Sequence, residues 1–525
     1  MKKLILTFLI LFSLETIGQT NNDAVYEVYE NLVNAIDSRD EEPEITIDKD
    51  GNSLAYYSSK HPKTIHIDQK AIDICKSFGE DYKNALAFII SHELIHHYDH
   101  RQIKEDKKDF KDFSFMHNLK YFSKDSTNRL RMETEADLRG GFFSFLAGYN
   151  SLHMAPMLLD SLYTKYQLSS HNTGYPSLEE RKNMTAVQIE KLERLKAIFN
   201  GASYSLMTGF YKGAQEGFSK ILEQNFTGTE IYNNLGLAYL MEAVEELNEK
   251  KDILGYPFEY DAESRLTENT TRAIGDDSHE LINKLLKLSI KKFEKALKIN
   301  NDYAIAQLNL SCAYSILAEI EEDEGKKKEH ISTAQKELEK YGQPESNQSL
   351  ILSGILDIQL NNENKAKKKF SQASKNGSEL AKLNLIKLKK EEDPKSANPQ
   401  ASKETIKSDI NVNALIAGFA NFDPPFEKIR LDECKLYYKE MENTAAYFFA
   451  SRKKNFFLQI TKGEDHITSK GIKVNDNVTL LKEKYGNPAI IRGNKADHYW
   501  YENSNIVFFV KDKKVTKWLV YDSND

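Results

Sequence analysis

The stretch FIISHELIHHYDH, residues 88–100, places four histidines and two acids directly after an apolar segment. Residues 82–101 contain neither Gly nor Pro and carry apolar residues at helical spacing, which predicts one helix. His92 and His96 then lie one turn apart on the same face, so both imidazoles can reach one zinc ion. Glu93, one position further round the helix, can accept a proton from a water that zinc has acidified.

A catalytic zinc site of this type needs a third protein ligand. Metzincins carry theirs ten residues after the first histidine, and Gln102 at that position excludes their arrangement. The segment TNRLRMETEADLRGGFFSFLAGYN, residues 127–150, predicts a second helix on which Glu133 and Asp137 lie one turn apart. Glu133 is therefore the candidate third ligand, while Asp137 can hold a ligand histidine in place.

Residues around these motifs receive smaller roles. Gly140 and Gly141 would let two helices approach closely, as a site built on two helices requires. Glu135 points elsewhere on the second helix and is the weaker ligand candidate, and an exposed acidic helix start is the alternative explanation of Glu133 alone. No role is assigned to the nearby histidines His97, His100 and His117. His97 faces away from the proposed ligands, and His100 lies on their face, but zinc with three protein ligands needs an open fourth position.

The two motifs together carry a family resemblance. HELIH at 92–96 followed by ETEADLRGGFFSFLAGY at 133–149 resembles the gluzincin peptidases of the CAAX-prenyl endopeptidase and HtpX family, over about residues 43–184. The resemblance implies one Zn²⁺ per chain, held by His92, His96 and Glu133, with Glu93 as general base and Asp137 in support. It also implies that a strand within residues 43–72 borders the cleft, where an extended substrate adds to it.

One segment departs from the family pattern. The family follows the second helix with a His-Pro segment, a few acids and an arginine near the cleft, whereas this chain has Tyr175-Pro176 and then Arg181. Tyr175 could donate a hydrogen bond to a developing oxyanion, or it could be a packing residue. Both alternatives stay open for Tyr175, and Arg181 is assigned to the surroundings of the ligands.

Residues 195–390 read as a helical repeat array. Ala214, Phe218 and Gly236 recur at spacings that are shared by a later set, Phe293, Ala296, Gly354, Ala366, Phe370 and Ala373. Small residues let paired helices touch while an aromatic ring fills the groove to the next helix. The pattern resembles the tetratricopeptide repeat, interrupted by an insertion at about 245–285. Such arrays commonly hold peptides or proteins, and an unrelated helical bundle is the alternative.

The remaining C-terminal sequence predicts a linker and a small domain. Residues 391–409 have low hydrophobicity and two prolines, which is typical of a linker. Residues 410–525 alternate aromatic and polar residues around a helix that ends near Tyr485-Gly486, which predicts a small α+β domain of unknown role. Its large aromatic residues are interpreted as core and not as a ligand site, namely Trp500, Tyr501 and Trp518.

The chain start predicts export. Two lysines, a short apolar run and a small residue before Gln19 indicate a cleaved signal peptide at residues 1–18. The run is too short to span a bilayer, and no transmembrane segment is expected in the mature chain. A net charge of −7 gives no positive field for nucleic acid. Three widely spaced cysteines cannot form a disulfide framework, so buried thiols are expected.

The sequence therefore predicts an α+β, mostly α protein with three parts after the signal peptide: a zinc peptidase domain at 19–194, the repeats, and the small C-terminal domain. Its expected activity is that of an exported zinc endopeptidase, periplasmic, envelope-associated or secreted. The repeats would bind a protein substrate or an envelope partner, an arrangement similar to periplasmic BepA-type proteins of protein quality control. The alternative is a repeat-based chaperone or adaptor whose zinc domain is latent or structural.

Overall fold

The structure is a computed structural model, and the chain divides into two compact units, Met1–Leu195 and Lys196–Asp525. The described residues are 23–36, 42–49, 53–60, 62–105, 128–167, 178–223, 228–248, 251, 253–261, 278–389, 427–432, 434–440, 442–451, 455–461, 463, 466–493 and 497–524. The predicted signal peptide and linker, Tyr175 and His117 lie outside them. The predicted division into domains stays a prediction.

The first unit combines a small sheet with helices. Its elements begin with α1 (Asp23–Ile36), β1 (Glu44–Asp48), β2 (Ala55–Ser58), β3 (Thr64–Asp68) and α2 (Gln69–Lys76). The three strands have the order β1-β3-β2, in which β1 runs parallel and β2 antiparallel to β3. Asp68 ends the sheet and caps α2, because its side chain accepts a hydrogen bond from the backbone N–H of Lys70.

Four helices complete this part of the chain, and two of them carry the candidate ligands. They are α3 (Tyr82–Glu105), α4 (Asn128–Leu146), α5 (Ser151–Lys165) and α6 (Leu178–Met207), which continues past the boundary between the units. Helix α3 is apolar on several faces, since Leu86, Ile90, Leu94 and Ile95 are all fully buried. Neighbours α1, α4 and α5 and strand β2 all pack on α3, which explains why so much of it is apolar.

The second unit contains a helical repeat array. Its helices are α7 (Tyr211–Glu223), α8 (Thr229–Asn248), α9 (Ser278–Ile299), α10 (Ala304–Ile320), α11 (Glu324–Tyr341), α12 (Asn347–Gln359), α13 (Glu363–Lys375) and α14 (Glu379–Lys389). Each helix packs against the next, and α10 also contacts α8 and α12. Contacts between neighbours and next-but-one neighbours are typical of stacked helical hairpins.

The small and aromatic residues of the repeats meet as the sequence predicts. A Cβ placed on Gly236 would lie 2.8 Å from the ring of Phe293, and one on Gly354 would lie 2.6 Å from the ring of Phe370. The rings of Phe218, Phe293 and Phe370 are fully buried. These glycines therefore allow a helix to rest on the aromatic ring of its partner, and the prediction of a helical repeat array is confirmed.

A nine-stranded sheet completes the second unit. It has the order β4-β9-β10-β11-β12-β8-β7-β6-β5, from β4 (Glu259–Tyr260), β5 (Glu427–Arg430), β6 (Cys434–Glu440), β7 (Thr444–Ser451), β8 (Asn455–Thr461), β9 (Ala489–Gly493), β10 (Asp497–Tyr501), β11 (Ile506–Lys511) and β12 (Lys514–Asn524). Neighbouring strands are antiparallel except β4 and β9, which are parallel. Strand β4 comes from the insertion in the repeats and was not predicted.

Helix α15 (Val478–Tyr485) packs on this sheet and ends at Gly486, as predicted. Tyr501 and Trp518 are buried in the core beneath it, whereas Trp500 is half-buried and donates a hydrogen bond to the Tyr521 hydroxyl. The fold is mostly α with a smaller C-terminal β part, which confirms the predicted class. Within the described ranges, no helix has both the length and the apolar composition needed to cross a bilayer.

Candidate metal centre

Helices α3 and α4 approach each other closely where the two motifs meet. A Cβ placed on Gly140 would lie 2.9 Å from the Ser91 hydroxyl and 3.0 Å from the backbone nitrogen of His92. Nearby, the Ser144 hydroxyl lies 3.1 Å from the carbonyl oxygen of Ala87 and donates to it. Gly140 therefore allows α4 to approach His92 on α3 closely, as predicted.

Three side chains converge at this contact. The Nε2 atoms of His92 and His96 are 3.1 Å apart. The carboxylate of Glu133 lies 3.3 Å from Nε2 of His92 and 3.8 Å from Nε2 of His96. One donor atom from each side chain falls within 4.8 Å of the others, and all three side chains are largely buried. Among the described residues, this is the one group of three or more potential ligands with that geometry.

The donor set fits a zinc ion. Two imidazole nitrogens and one carboxylate oxygen are a common protein contribution to catalytic zinc sites, which keep a further position open. Imidazole nitrogens and carboxylates bind a divalent cation only when they are unprotonated, and two Nε2 atoms this close can share one cation. The residues present thus match the cofactor that the sequence predicts, one zinc ion per chain.

The ring of His92 is oriented from its other side. Its Nδ1 lies 2.8 Å from Oδ1 of Asp137, and the Arg181 guanidinium of α6 donates two hydrogen bonds to the same carboxylate. Burial raises the pKa of Asp137, but the charge of Arg181 and the contact with His92 outweigh it and hold the pKa at about 2. A charged Asp137 fixes Nδ1 as the protonated nitrogen and leaves Nε2 facing Glu133.

The group also perturbs the protonation of its own members. Burial lowers the pKa of His92, but its contacts with Asp137 and Glu133 raise it more, to a net value of about 10. For Glu133, burial raises the pKa while the hydrogen bond from His92 lowers it, and the net shift is downward. Buried opposite charges thus stabilise one another here, an arrangement in which a cation can replace the histidine proton.

Glu93 is buried beside the three candidate ligands. Burial, partly offset by the neighbouring His92, raises the pKa of its carboxyl to about 7. The backbone N–H of Tyr57, in strand β2, donates a hydrogen bond to this carboxylate. The contact with Tyr57 was not predicted, since a backbone N–H has no signature in the sequence beyond the strand pattern of residues 43–72.

Two further residues singled out in the sequence are His97 and Tyr175, which stands where the family has a histidine. His97 is fully buried and its ring packs edge-on against Tyr57, with centroids 5.1 Å apart. Its ring is not part of the group formed by His92, His96 and Glu133. Tyr175 lies outside the described residues, so its two alternatives stay predictions.

Comparisons with known proteins add little to this geometry. No family model matches the chain, and no curated protein matches it. Solved structures with some likeness include the human IFIT1 dimer with PPP-AAAA, at 13% identity and TM-score 0.19, covering 59% of this chain and 78% of that chain. The human IFIT1 dimer with m7Gppp-AAAA has 11% identity, TM-score 0.20 and coverage of 59% and 77%. A monomeric IFIT1 mutant with Gppp-AAAA has 13% identity, TM-score 0.20 and coverage of 58% and 75%. At such TM-scores we draw nothing from these likenesses.

Proposed function

We propose that this chain is an exported zinc-dependent endopeptidase. The observation that supports the proposal most is the convergence of His92, His96 and Glu133 on one point, with a buried Glu93 beside them. A structural zinc site would need four closed ligands and no adjacent base. Three ligands and a neighbouring carboxylate are instead what metal-assisted hydrolysis requires.

The residues would divide the reaction as follows. Bound zinc would supply Lewis acidity, which polarises a carbonyl and lowers the pKa of a water. Glu93 would take one proton from the water as its oxygen attacks the peptide carbonyl carbon. The same carboxyl would then give that proton to the leaving nitrogen as the C–N bond breaks. Asp137 would act on His92 as a positioning residue, and Arg181 would hold Asp137 in place.

Strand β2 supports an extended substrate. It is an edge strand of its sheet, paired on one side with β3. From its other side, the backbone N–H of Tyr57 reaches Glu93, so the strand borders the base. A peptide that adds to this edge in extended form would bring a peptide bond next to Glu93. The repeats of the second unit would hold a protein substrate or an envelope partner, a role in keeping with protein quality control.

The test uses the chain from Gln19 onward and its Glu93→Gln variant. The substrate is reduced, carboxymethylated α-lactalbumin, which stays unfolded, and zinc is measured in each preparation. Cleavage by the wild type and a loss of roughly 10²–10⁴-fold in the variant, at equal zinc content, are expected for removal of a general base. The matched control is Glu80→Gln, an exposed glutamate of the same unit, which should cleave normally.

The opposite outcome is equally clear. If wild type and Glu93→Gln both bind zinc and neither cleaves any unfolded substrate offered, the endopeptidase proposal is wrong. The alternative of a repeat-based binding protein with a structural or latent zinc domain would then replace it.

A further inference from the structure

A short piece of the repeat insertion lies against the repeats themselves. Residues Ile253–Asp261, here called the resident segment, include strand β4 and are deeply placed, since Tyr256, Tyr260 and Asp261 are each less than a tenth exposed. Side chains from α8, α10, α12 and α14 contact it. The repeats thus already hold one extended polypeptide in this structure.

Two asparagines bind the backbone of the resident segment. Each of them contacts both the N–H and the carbonyl of one residue. Asn309 accepts a hydrogen bond from the N–H of Glu259 at 3.0 Å and donates one to its carbonyl at 2.6 Å. Asn234 does the same to Asp261, at 3.1 Å and 2.6 Å. A side-chain amide can satisfy one N–H and one C=O of the same residue, so each pair is complete.

A third asparagine repeats the arrangement at the other end. Asn384 accepts from the N–H of Gly255 at 2.7 Å and donates to its carbonyl at 2.9 Å. The three asparagines are fully buried, and each is the sixth residue of its helix, α8, α10 and α14. Burying an amide without a hydrogen-bond partner is unfavourable, so three buried asparagines at one helical position indicate a built site for a backbone.

The nine-stranded sheet also contacts the backbone of the resident segment. Strand β4 pairs in parallel with β9, through Glu259 opposite Arg492 and Tyr260 opposite Gly493. Since β4 is the last strand of the sheet, an incoming extended chain could take its place beside β9. The asparagines and strand β9 contact only backbone atoms of the bound segment. Any extended polypeptide can therefore make the same contacts.

Side-chain contacts add a preference. The Tyr256 hydroxyl lies 3.2 Å from that of Ser315, and the carboxylate of Asp261 accepts a hydrogen bond from Tyr303 at 2.5 Å. Between them, Glu259 accepts a hydrogen bond from Gln348 at 2.9 Å. The site therefore suits a segment with a tyrosine and, a few residues further on, acidic residues.

We propose that these helices form a binding site for extended segments of client proteins, and that the resident segment is an internal ligand that competes for it. The preferred client segment is aromatic and then acidic. A client backbone that replaces the resident segment makes the same number of hydrogen bonds. The main free-energy cost of this exchange is therefore the advantage that covalent attachment gives the resident segment. A tethered ligand acts at an effective concentration of the order of 1 mM, which keeps weak clients out.

This inference deepens the partner-binding role proposed for the repeats and does not depend on hydrolysis. All tests therefore use the full chain with Glu93→Gln, in which failure of the peptidase proposal leaves the binding result unaffected. The probe is the labelled peptide ILGYPFEYD, which is the sequence of the resident segment.

The first test replaces residues 253–261 by Gly and Ser of equal length. The probe should bind this chain at least about 10-fold more tightly than the chain with its own segment, because the internal competitor is gone. Adding Asn309→Ala should abolish the gain, and unfolded carboxymethylated α-lactalbumin should displace the probe. A folded Gly/Ser chain that does not bind the probe, or that binds it equally with Asn309→Ala, would overturn the proposal.

The second test decides the matter if the Gly/Ser chain does not fold. A Cβ on Gly255 would lie 2.5 Å from Cδ1 of Leu380, so the pair Gly255→Cys and Leu380→Cys can be joined to lock the resident segment. The three native cysteines are buried and stay outside the reaction. The reduced pair should bind the probe and the oxidised pair should not. Equal binding by the two forms, or none by the reduced form, would mean a permanent structural segment and would overturn the proposal.

Discussion

The metal centre and the asparagine site (Asn234, Asn309 and Asn384) are both built from buried polar side chains on separate helices. The residues of the two sites are distributed differently along the chain. His92, His96 and Glu133 come from two helices, and two of them are one turn apart. Asn234, Asn309 and Asn384 come one from each of three helices. Spacing reveals the first site, whereas only the stacking of hairpins brings the second together.

The difference follows from what each site binds. A zinc ion is a point, so its ligands must converge within a few ångströms and their sequence spacing is constrained by helix geometry. An extended backbone is a line, and single side chains placed at intervals along it are enough. Convergent sites are therefore the ones that leave a compact motif in the sequence.

Asp137→Asn tests whether the metal centre depends on its supporting charge. The substitution keeps the size of the side chain but removes the charge that orients His92 and pairs with Arg181. Loss of such a supporting group typically costs roughly 10–100-fold in metal affinity. Zinc affinity is measured by competition with a chelator, and Asp160→Asn, an exposed carboxylate paired with Lys182, is the matched control that should leave it unchanged.

Asn309→Ala tests whether the asparagine site depends on single side chains. The change leaves the N–H and carbonyl of Glu259 without these partners, which should cost about 1–3 kcal/mol of local stability. Hydrogen exchange at residues 253–261 should accelerate accordingly. Asn362→Ala is the control, because that asparagine is exposed and makes no capping hydrogen bond. Unchanged exchange in Asn309→Ala would show that the resident segment is held by other contacts.

His498 gives the second unit a pH dependence of its own. Burial, with the nearby charge of Lys517, lowers its pKa from 6.5 to about 3, and neither ring nitrogen has a hydrogen-bond partner among the described residues. The rings of Tyr260 and Phe509 pack against it. The unfolded chain therefore takes up a proton below about pH 6.5 that the folded chain refuses, and stability falls as pH falls from there towards 3.

Replacing that histidine by an apolar ring should remove the effect. At pH 5 the penalty is about 2 kcal/mol, and at pH 7 it is only about 0.2 kcal/mol. His498→Phe should accordingly resist unfolding better than wild type at pH 5 and differ little at pH 7, as measured by thermal unfolding. The exposed His153→Phe serves as control. If wild type and His498→Phe lose stability equally on acidification, the pH dependence comes from other groups.

The sequence predicted most where a feature is local. The helix from Tyr82, its pair of histidines, the glycine that allows close approach and the aromatic residues of the repeats all follow from spacing within one or two helices. Asp137 was placed by the same one-turn spacing. Arg181 entered through the resemblance alone, because nothing in its own helix indicates a partner on α4.

What the sequence did not predict depends on distant contacts. Strand β4 has two residues and pairs with β9 far along the chain, so no local alternation marks it. Asparagine favours turns and helix ends over helix interiors, and no function was predicted for Asn234, Asn309 and Asn384. One signal was available: each of the three asparagines is followed directly by leucine within a stretch that the repeat pattern predicts to be helical. A polar residue that recurs at a core position requires a partner.

The assigned roles of His92, His96 and Glu133 all require a bound metal ion. We would measure the zinc content of the purified chain by mass spectrometry, beside a variant carrying His92→Ala and His96→Ala and the control His153→Ala. One zinc per chain in wild type and control, and none in the double variant, is the predicted result. Wild type that takes up no zinc, or a double variant that retains it, would contradict the assignment of His92, His96 and Glu133 as a metal centre.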